Sequence, residues 1–312
     1  ASLTSPGGCE LGPRPIDLHL SGLRALGAEI DDTGGTLHCK AAKLTGREIV
    51  LGFPSVGATE NLMLAACGAE GVTVLSNAAR EPEIEDLQGF LNTCGAEITG
   101  AGTSTVVIRG GRPLHGGTYT ILPDRIAAAT YLCGAASAGG EVFLRDAREE
   151  HLSAVTAVLR EAGCDVTGGS VCRRTGRLTA PRPIRTAPYP GFPTDAQAIL
   201  MAALLRCRGA AVFEENLFSS RYRHVDELAR MGADIRVSGR TAVVLGVERL
   251  HGAAVRCTDL RGGAALCAAA LAAEGETSIS DITHIDRGYQ SIEDDLAALG
   301  ADIRRVEETA SP

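Results

Sequence analysis

The chain has 312 residues, enough for two domains, and only 4% of them are aromatic, so Ala, Val, Leu and Ile must build its core. Its formal net charge of −8 argues against a general nucleic-acid-binding protein, which would carry a basic surface. No apolar run is long enough to span a membrane, and no signal peptide is recognisable. We therefore expect a cytoplasmic protein without nucleic-acid or membrane partners.

The cysteines favour neither a metal site nor a disulfide framework. There are ten, and none of them forms a C-x-x-C pair or another spacing typical of metal ligands. Several lie in apolar runs with helical character, namely Cys67, Cys133, Cys207 and Cys267. We interpret these as small core residues in a reducing compartment.

The first stretch with chemical character is residues 5–18. It places Cys9 in a glycine-flanked loop, followed by Arg14 and then Asp17. Glycines allow a ligand to approach the backbone closely, and a nearby cation lowers the pKa of a thiol. Two hypotheses stay open from these residues alone: a reactive thiol in a loop, or a buried structural cysteine.

A repeat of about 68 residues organises the chain. The phrase Leu26-Gly27-Ala28-Glu29-Ile30 recurs in related form around Gly95, Gly163, Gly232 and Gly300. Each of these glycines follows an amphipathic run, where glycine is the expected helix stop. A strand is predicted after each stop, for example at Thr105-Val106-Val107-Ile108.

A second helix is predicted in the other half of each repeat. These helices are rich in Ala and apolar on most sides, so each should be buried. They are expected over residues 58–69, 125–138, 196–207 and 264–273, and they close at Gly71, Gly140, Gly209 and Gly275. The predicted unit is therefore strand, helix, strand, helix, strand, in four full periods preceded by the tail of another.

Polar residues recur where these buried helices begin. Ser55-Val56-Gly57 could offer backbone N–H groups to a phosphate, or Ser55 could simply cap the helix. Asp124, Asp195 and Asp259 are likewise expected at N-caps. Arg125 and Arg261 stand beside such caps, which suits either anion binding or ion pairing with the neighbouring aspartate.

Two further helix entrances, residues 80–86 and 284–289, carry Arg, Asp and Glu side chains. Each is compatible with an ordinary solvated loop. If the repeats pack with their helix N-termini together, these side chains instead form a locally cationic cleft in an acidic protein. Such a cleft would suit a substrate with several phosphates or carboxylates.

Several of these motifs, in this order, match a known family over essentially the whole chain. The chain resembles the UDP-N-acetylglucosamine 1-carboxyvinyltransferases, which are enolpyruvyl transferases. The matching segments are Pro6-Gly7-Gly8-Cys9 with Arg14-Pro15-Ile16-Asp17-Leu18, and residues 53–59, 79–84, 192–197, 258–261 and 284–289.

The resemblance implies an α/β fold made of inside-out α/β barrel domains, each built from repeated βαβαβ-type units. It implies a first domain over residues 1–122, incomplete at its N-terminus, with the Cys9 loop and the UDP contacts. A second domain over residues 123–312 would carry the general base and an arginine that binds phosphoenolpyruvate.

The implied reaction is the first committed step of peptidoglycan synthesis. The enolpyruvyl group of phosphoenolpyruvate moves to the 3′-hydroxyl of UDP-N-acetylglucosamine, and phosphate is released. Addition is followed by elimination, with no metal and no organic cofactor. The two substrates are the expected binding partners.

The resemblance also assigns roles to matching positions. Cys9 resembles the loop thiol that assists proton addition and is alkylated by fosfomycin, and Asp195 resembles the base facing the sugar hydroxyl. Arg14, Arg261 and Arg287 resemble the residues that hold phosphoenolpyruvate. The other substrate contacts are expected at Pro15, Ile16, Asp17, Leu18, Ser55, Val56, Gly57, Leu217, Phe218 and Arg221, with Glu81 and Asp124 as further polar members.

The chain departs from the family at its N-terminus. The family begins with about one and a half repeats that have no counterpart here, including a Lys-Asn pair that contacts substrate. We therefore expect a fragment, or one piece of a split enzyme whose separate N-terminal segment is a partner.

Two alternatives remain open. One is an enzyme resembling 5-enolpyruvylshikimate-3-phosphate synthase, which shares the fold and the donor. The other is a truncated paralogue that binds a UDP-sugar without turnover.

Overall fold

The computed structural model describes residues 1–4, 16–32 and 35–306. The chain divides into two compact units. Within the described residues, the first unit comprises residues 1–4, 16–32, 35–122 and Pro188–Pro190, and the second comprises Pro123–Ala187 and residues 191–306. No helix in these described ranges is both long and apolar enough to cross a membrane.

The first unit is built from short strands and three helices. Its helices are α1 (Asp17–Ala25), α2 (Val56–Cys67) and α3 (Pro82–Thr93). Its strands are β1 (Ser2–Leu3), β2 (Glu29–Asp31), β3 (Leu37–Lys40), β4 (Glu48–Val50), β5 (Gly71–Ser76), β6 (Glu97–Thr99) and β7 (Thr105–Gly110). The strands form a three-stranded sheet in the order β1-β3-β2 and a four-stranded sheet in the order β4-β5-β7-β6.

The second unit repeats this plan. Its helices are α4 (Arg125–Ala138), α5 (Glu149–Glu161), α6 (Thr194–Ala203), α7 (Val225–Arg230), α8 (Leu260–Ala270), α9 (Thr283–Asp286) and α10 (Ile292–Ala298). Its strands are β8 (Gly140–Phe143), β9 (Asp165–Thr167), β10 (Val171–Arg174), β11 (Ile184–Arg185), β12 (Ala210–Glu214), β13 (Asp234–Ser238), β14 (Thr241–Leu245), β15 (Leu250–His251), β16 (Ala254–Arg256), β17 (Ala273–Glu274) and β18 (Ser278–Ser280).

Equivalent sheets share one topology. In the order β11-β12-β14-β13, as in β4-β5-β7-β6, the first pair is parallel and the other two pairs are antiparallel. The predicted βαβαβ unit is therefore wrong by one strand, because the second helix is followed by an antiparallel hairpin. The hairpin of β13 and β14 turns at Gly239, whose φ of 58° is readily adopted by glycine.

The glycines that end the predicted helices adopt the conformation that such an end requires. Gly27, Gly95, Gly163, Gly232 and Gly300 all have φ between 91° and 105°. Other residues with a Cβ rarely adopt these values. The predicted repeat endings are thus confirmed as local backbone structure, and each turns the chain from a helix into the strand or loop that follows.

The Ala-rich helices lie at the centre of the second unit. Helices α4, α6 and α8 pack against one another, and every residue of α6 from Ala196 to Ala203 is buried. Small side chains allow the helices to approach closely. At the N-terminal ends of these buried helices stand charged residues, which belong to the site described next.

The predicted helix limits differ from the observed ones by a few residues. The prediction for 125–138 is confirmed, whereas α2, α6 and α8 begin two to four residues earlier than predicted. In each case the first helical turn contains polar residues or glycine. The predicted helices were placed where the apolar run begins, so this turn was left out. The difference moves Asp195 into the helix itself.

Candidate functional site

Part of the predicted site lies outside the described residues. Cys9, Arg14 and Pro15 belong to that part, and their roles remain predictions. The remaining predicted residues divide between the two compact units. The first unit holds Ile16, Asp17, Leu18, Ser55, Val56, Gly57 and Glu81, and the second holds Asp124, Asp195, Leu217, Phe218, Arg221, Arg261 and Arg287.

Three buried helices of the second unit begin with a charged residue of the predicted site. Asp124 caps α4, with its carboxylate accepting from the backbone N–H of Ile126 at 2.7 Å. Asp259 caps α8 in the same way, accepting from Arg261 and Gly262. Asp195 does not cap α6, contrary to the prediction, because Pro193 supplies the extended residue before the first turn. Its carboxylate is therefore free for other partners.

The partner of Asp195 is Arg221. Arg221 Nη2 lies 2.7 Å from Asp195 Oδ1, and the same guanidinium donates through Nε and Nη2 to the backbone carbonyl of Thr194. The side chain of Arg221 is only 2% exposed, whereas that of Asp195 is 44% exposed. Arg221 therefore fixes the carboxylate from behind and leaves one face open to solvent.

A second guanidinium approaches the same carboxylate. Arg261 Nη2 lies 3.8 Å from Asp195 Oδ2, and Arg261 Nη1 donates to the Tyr289 hydroxyl at 3.1 Å. Burial by itself would lower the pKa of Arg261, but the charges of Asp195, Tyr289 and Asp124 outweigh it and raise the pKa above its usual value. Arg261 is therefore a permanent cation at the beginning of α8.

Tyr289 links this arginine to a third helix. Its hydroxyl lies 2.6 Å from Thr130 Oγ1, and its ring lies under the Arg261 guanidinium at 5.7 Å. Burial raises the pKa of Tyr289. The sequence analysis placed Tyr289 in a motif but gave it no role. It joins Arg261 to Thr130 of α4, which is 159 residues away in the sequence, and so holds Arg261 in position.

Chemically, the cluster of Asp195, Arg221 and Arg261 combines a proton acceptor with fixed positive charge. The half-exposed carboxylate can accept a proton from a hydroxyl group placed within hydrogen-bond distance. Arg261 and the N-terminus of α6 would favour a negatively charged group beside it. Arg287 follows α9 and is exposed.

Glu215, a residue that was not predicted from the sequence, shapes the neighbouring loop. Glu215 is fully buried, and its Oε1 accepts from the backbone N–H groups of Leu217 and Phe218 at 2.8 and 3.1 Å. Its Oε2 accepts from the Thr194 hydroxyl at 2.9 Å. One carboxylate thus joins the beginning of α6 to the predicted Leu217–Phe218 segment. The only local signal was its position after an apolar strand.

A buried histidine lies behind the same helix starts. His224 is completely buried, and neither ring nitrogen has a hydrogen-bond partner in the part of the chain that the structure describes. Burial lowers its pKa to about 4, although Asp259 opposes the shift and Arg221 adds to it. His224 is therefore neutral at physiological pH and adds no charge to the cluster.

In the first unit, two predicted segments come together because α1 packs against α2. A Cβ on Gly22 would lie 2.5 Å from Leu62, so glycine allows the close approach of the two helices. His19 Nδ1 lies 2.7 Å from Asn61 Nδ2, and its ring lies against Gly57. The start of α1 after Ile16 is thereby brought near the start of α2.

Ser55 caps the N-terminus of α2, which was one of the two hypotheses for this segment. Ser55 Oγ accepts from the N–H of Ala58 at 3.3 Å. An α-helix begins with four N–H groups that have no partner within the helix, and this bond satisfies one of them. Among the described residues, the N–H groups of Val56 and Gly57 have no hydrogen-bond partner. A cap and an anion site at the same entrance are therefore compatible. Asp17 in the first turn of α1 is exposed, and Leu18 is half-buried.

Glu81 is a structural residue of the α3 entrance as well as a predicted site member. Its two carboxylate oxygens accept from the backbone N–H groups of Arg80 and Tyr189, at 3.0 and 3.3 Å. Within the described ranges, no group of three His, Cys, Asp or Glu side chains is arranged to hold a metal ion.

Comparison with known proteins places the chain among enolpyruvyl transferases. The family model described as EPSP synthase (3-phosphoshikimate 1-carboxyvinyltransferase) matches residues 2–296. The chain is 51% identical over 311 residues to UDP-N-acetylglucosamine 1-carboxyvinyltransferase 2 of Caldanaerobacter subterraneus subsp. tengcongensis, covering 98% of this chain and 74% of that protein. It is 50% identical over 312 residues to UDP-N-acetylglucosamine 1-carboxyvinyltransferase of Gluconacetobacter diazotrophicus, covering 99% and 74%.

Solved structures show the same fold. The enolpyruvyl transferase NikO from Streptomyces tendae is similar with a TM-score of 0.83 and 28% identity, over 97% of this chain and 73% of that one. An EPSP synthase from Acinetobacter baumannii is similar with a TM-score of 0.69 and 20% identity, over 98% and 75%. The chain therefore has the α/β enolpyruvyl transferase fold and spans about three quarters of the length of these relatives.

Proposed function

The chain belongs to the enolpyruvyl transferase family, and we propose that it transfers the enolpyruvyl group of phosphoenolpyruvate to the 3′-hydroxyl of UDP-N-acetylglucosamine, releasing phosphate. The choice of acceptor rests on relatives of about 50% identity that carry this activity in their names. The similarity to EPSP synthase structures, at 20% or 21% identity, supports the fold alone. This reaction would place the chain at the first committed step of peptidoglycan synthesis.

The observation that carries the proposal is the half-exposed Asp195 carboxylate held by a buried arginine. Asp195 accepts the proton of the sugar hydroxyl while that oxygen bonds to C2 of phosphoenolpyruvate and C3 takes up a proton. In the second step C3 loses a proton, the bond from C2 to the phosphate oxygen breaks, and phosphate leaves. A base of this kind contributes roughly 10²–10⁴-fold to a rate.

The arginines divide into two roles. Arg261 is positively charged and lies 3.8 Å from Asp195, so it suits the carboxylate or the phosphate of phosphoenolpyruvate. Arg14 and Arg287 are further contacts with phosphoenolpyruvate in this proposal. Arg221 was predicted to line the sugar-nucleotide cleft, but its burial and its two bonds to the Thr194 carbonyl support a positioning role. Cys9 retains its proposed role in proton addition at C3.

We assign contacts with the UDP-sugar within each unit. Leu217 and Phe218, held by Glu215, line the sugar-nucleotide cleft. In the first unit, Asp17, Leu18 and the Ser55–Gly57 entrance contact the uridine and the diphosphate. The unbonded N–H groups at the start of α2 support this assignment, because they suit a phosphate.

The finer description of the fold belongs to the same proposal. We infer that residues 1–122 and 123–312 correspond to the two inside-out barrel domains of the family. The central packing of α4, α6 and α8, with the sheets of the second unit around them, supports this inference.

The test is phosphate release from phosphoenolpyruvate by this chain, measured with and without UDP-N-acetylglucosamine. Release that depends on the UDP-sugar and is lost in the Cys9→Ser and Asp195→Asn variants supports the proposal. Phosphate release that depends instead on shikimate 3-phosphate would show that the chain acts as a 5-enolpyruvylshikimate-3-phosphate synthase. Binding of the UDP-sugar without release would favour a non-catalytic protein.

A further inference from the structure

A second concentration of positive charge lies at the opposite end of the helices that carry the candidate site. A cavity of about 300 Å³ opens beside Gly139, the C-cap of α4, and beside Arg206, which follows α6. Asp124 caps the other end of α4, a helix of 14 residues whose length is about 21 Å along its axis. The cavity is therefore separate from the cluster of Asp195, Arg221 and Arg261.

Three arginines and one glutamate line the cavity. Arg177 binds the Glu248 carboxylate and donates to the carbonyls of Arg206, Cys207 and Val247. Arg206 donates to the carbonyls of Glu248 and Ala272. These two side chains therefore stabilise the loops at the end of α6, and Glu248 is already paired.

Arg174 is different, because its guanidinium has neither a carboxylate partner nor a hydrogen bond among the described residues. It is half-buried in the cavity wall, with Nη2 2.9 Å from the position that a Cβ on Gly139 would take. Burial, followed by repulsion from Arg206, lowers the pKa of Arg174 below its usual value. The nearby Cys164 thiol opposes this shift without cancelling it. A half-buried cation without a carboxylate partner is costly unless an anion neutralises it.

We propose that this cavity, defined by Arg174, Arg177, Arg206 and Glu248, binds a phosphate dianion, either free or as the monoester group of a small metabolite. Arg174 provides a planar pair of N–H donors for two phosphate oxygens, and Arg206 Nη2, which donates to no described residue, is available for a third. The lining carries two net positive charges, which match the charge of the dianion. The volume exceeds that of phosphate alone, so a monoester also fits.

A purely structural role for Arg174 would predict bonds to the last carbonyls of α4, where a cation is favoured. No such bond is present, although Gly139 is adjacent. Arg177 and Arg206 show what structural arginines do here, because both donate to loop carbonyls. Arg174 therefore has the geometry of a ligand-binding residue.

The experiment follows the side-chain Nε–H signals of arginine by NMR in the full chain labelled with ¹⁵N-arginine. Inorganic phosphate is titrated at constant ionic strength, and AMP is titrated separately as a phosphate monoester. The Arg174→Lys and Arg173→Gln variants assign the two signals. Arg173 is the matched control, because it is the neighbouring residue of β10, points to the other face, and is exposed beside Glu141.

We expect the Arg174 signal to shift and saturate with phosphate or AMP in the millimolar range, while the Arg173 signal stays in place. Thr175→Glu, which adds a carboxylate to the exposed rim of the cavity, should weaken binding at least tenfold without removing an arginine. An Arg174 signal that does not move with either anion, or that moves equally in Thr175→Glu, would overturn the proposal. Because the readout is specific to this cavity, neither result bears on the transferase activity.

Discussion

Arg221 holds Asp195 from inside the protein: its Nη2 lies 2.7 Å from Asp195 Oδ1, while its side chain is 2% exposed and that of the aspartate is 44% exposed. The same guanidinium binds the carbonyl of Thr194, the residue just before Asp195. The position of the carboxylate is thus fixed from within the protein by a buried side chain. This arrangement makes a half-exposed aspartate a well-defined proton acceptor.

Asp195→Asn should reduce kcat for UDP-sugar-dependent phosphate release by about 10²–10⁴-fold, because an amide cannot accept the hydroxyl proton. KM for the two substrates should change little, since the amide keeps the shape of the side chain. Steady-state phosphate release measures both quantities. Asp226→Asn, at an exposed position in the first turn of α7, is the matched control and should retain full activity. Equal activity of the two variants would remove Asp195 from the mechanism.

Glu215→Gln should lower the free energy of unfolding by about 1–3 kcal/mol, because buried N–H and O–H donors lose a charged acceptor. It should also raise KM for the UDP-sugar more than it lowers kcat, since Leu217 and Phe218 lose their anchor. Urea unfolding and steady-state kinetics give the two values.

The control for Glu215 is its neighbour in the sequence. Glu214→Gln removes an exposed pair with Arg185 and should leave stability and KM unchanged. If Glu214→Gln and Glu215→Gln had the same effect on KM, the loop would not depend on the buried carboxylate.

His224 should make stability depend on pH. Its pKa is lowered by burial from 6.5 to about 4 in the folded protein, so between these values only the unfolded chain takes up the proton. Stability is therefore complete above pH 6.5 and falls as the pH decreases toward 4, by about 3 kcal/mol in total. Asp259 and Arg221 both face the ring. The charge of Asp259 opposes the lowering of the pKa, and the charge of Arg221 reinforces it.

The pH prediction is checked by denaturant unfolding at pH 7.5 and pH 5. His224→Leu, which keeps a similar volume, should reduce the difference between the two stabilities, because no buried imidazole remains to be protonated on unfolding. His251→Leu, at an exposed position of the same unit, should leave the difference unchanged. A pH dependence that survives in His224→Leu would assign it to other groups.

Gly22→Ala should destabilise the first unit by about 1 kcal/mol, although alanine favours a helix, because its Cβ would lie 2.5 Å from Leu62 Cδ1. Thermal unfolding gives the difference. In a Leu62→Ala background the same substitution should become stabilising, since the obstacle is gone and the helix propensity remains. Gly52→Ala, with no heavy atom within 4 Å of its added Cβ, controls for the general effect of the substitution. A loss that persists in the Leu62→Ala background would exclude this contact as the cause.

Local features of the fold were predictable because their causes lie within a few residues. The glycines that end the helices were found from sequence spacing, and each has the positive φ that such an end requires. The buried Ala-rich helices were likewise recognisable from their composition. The first strand of these hairpins, β6 or β13, was missed, because the prediction placed a single strand after each helix stop and overlooked turns such as the one at Gly239.

The candidate site was predictable only in part. The resemblance identified Asp195 and Arg261, and the structure places their side chains 3.8 Å apart. It could not show that Asp195 is no helix cap, because the cap depends on the backbone conformation of Pro193. It also gave no role to Glu215 or His224, which lie in none of the matched motifs.

The sequence by itself determined the repeat, the helix ends, the buried helices and the types of residue at the helix starts, since these depend on spacing and composition. Only the tertiary structure decided the partners: Arg221 with Asp195, Glu215 with Thr194, and Tyr289 with Thr130, which are 26, 21 and 159 residues apart. The physical reason is that helix stops and burial follow from short-range backbone preferences and side-chain hydrophobicity. The partner of a buried charge is instead selected by the packing of helices α4, α6 and α8, because desolvation requires that the charge be satisfied wherever the fold places it.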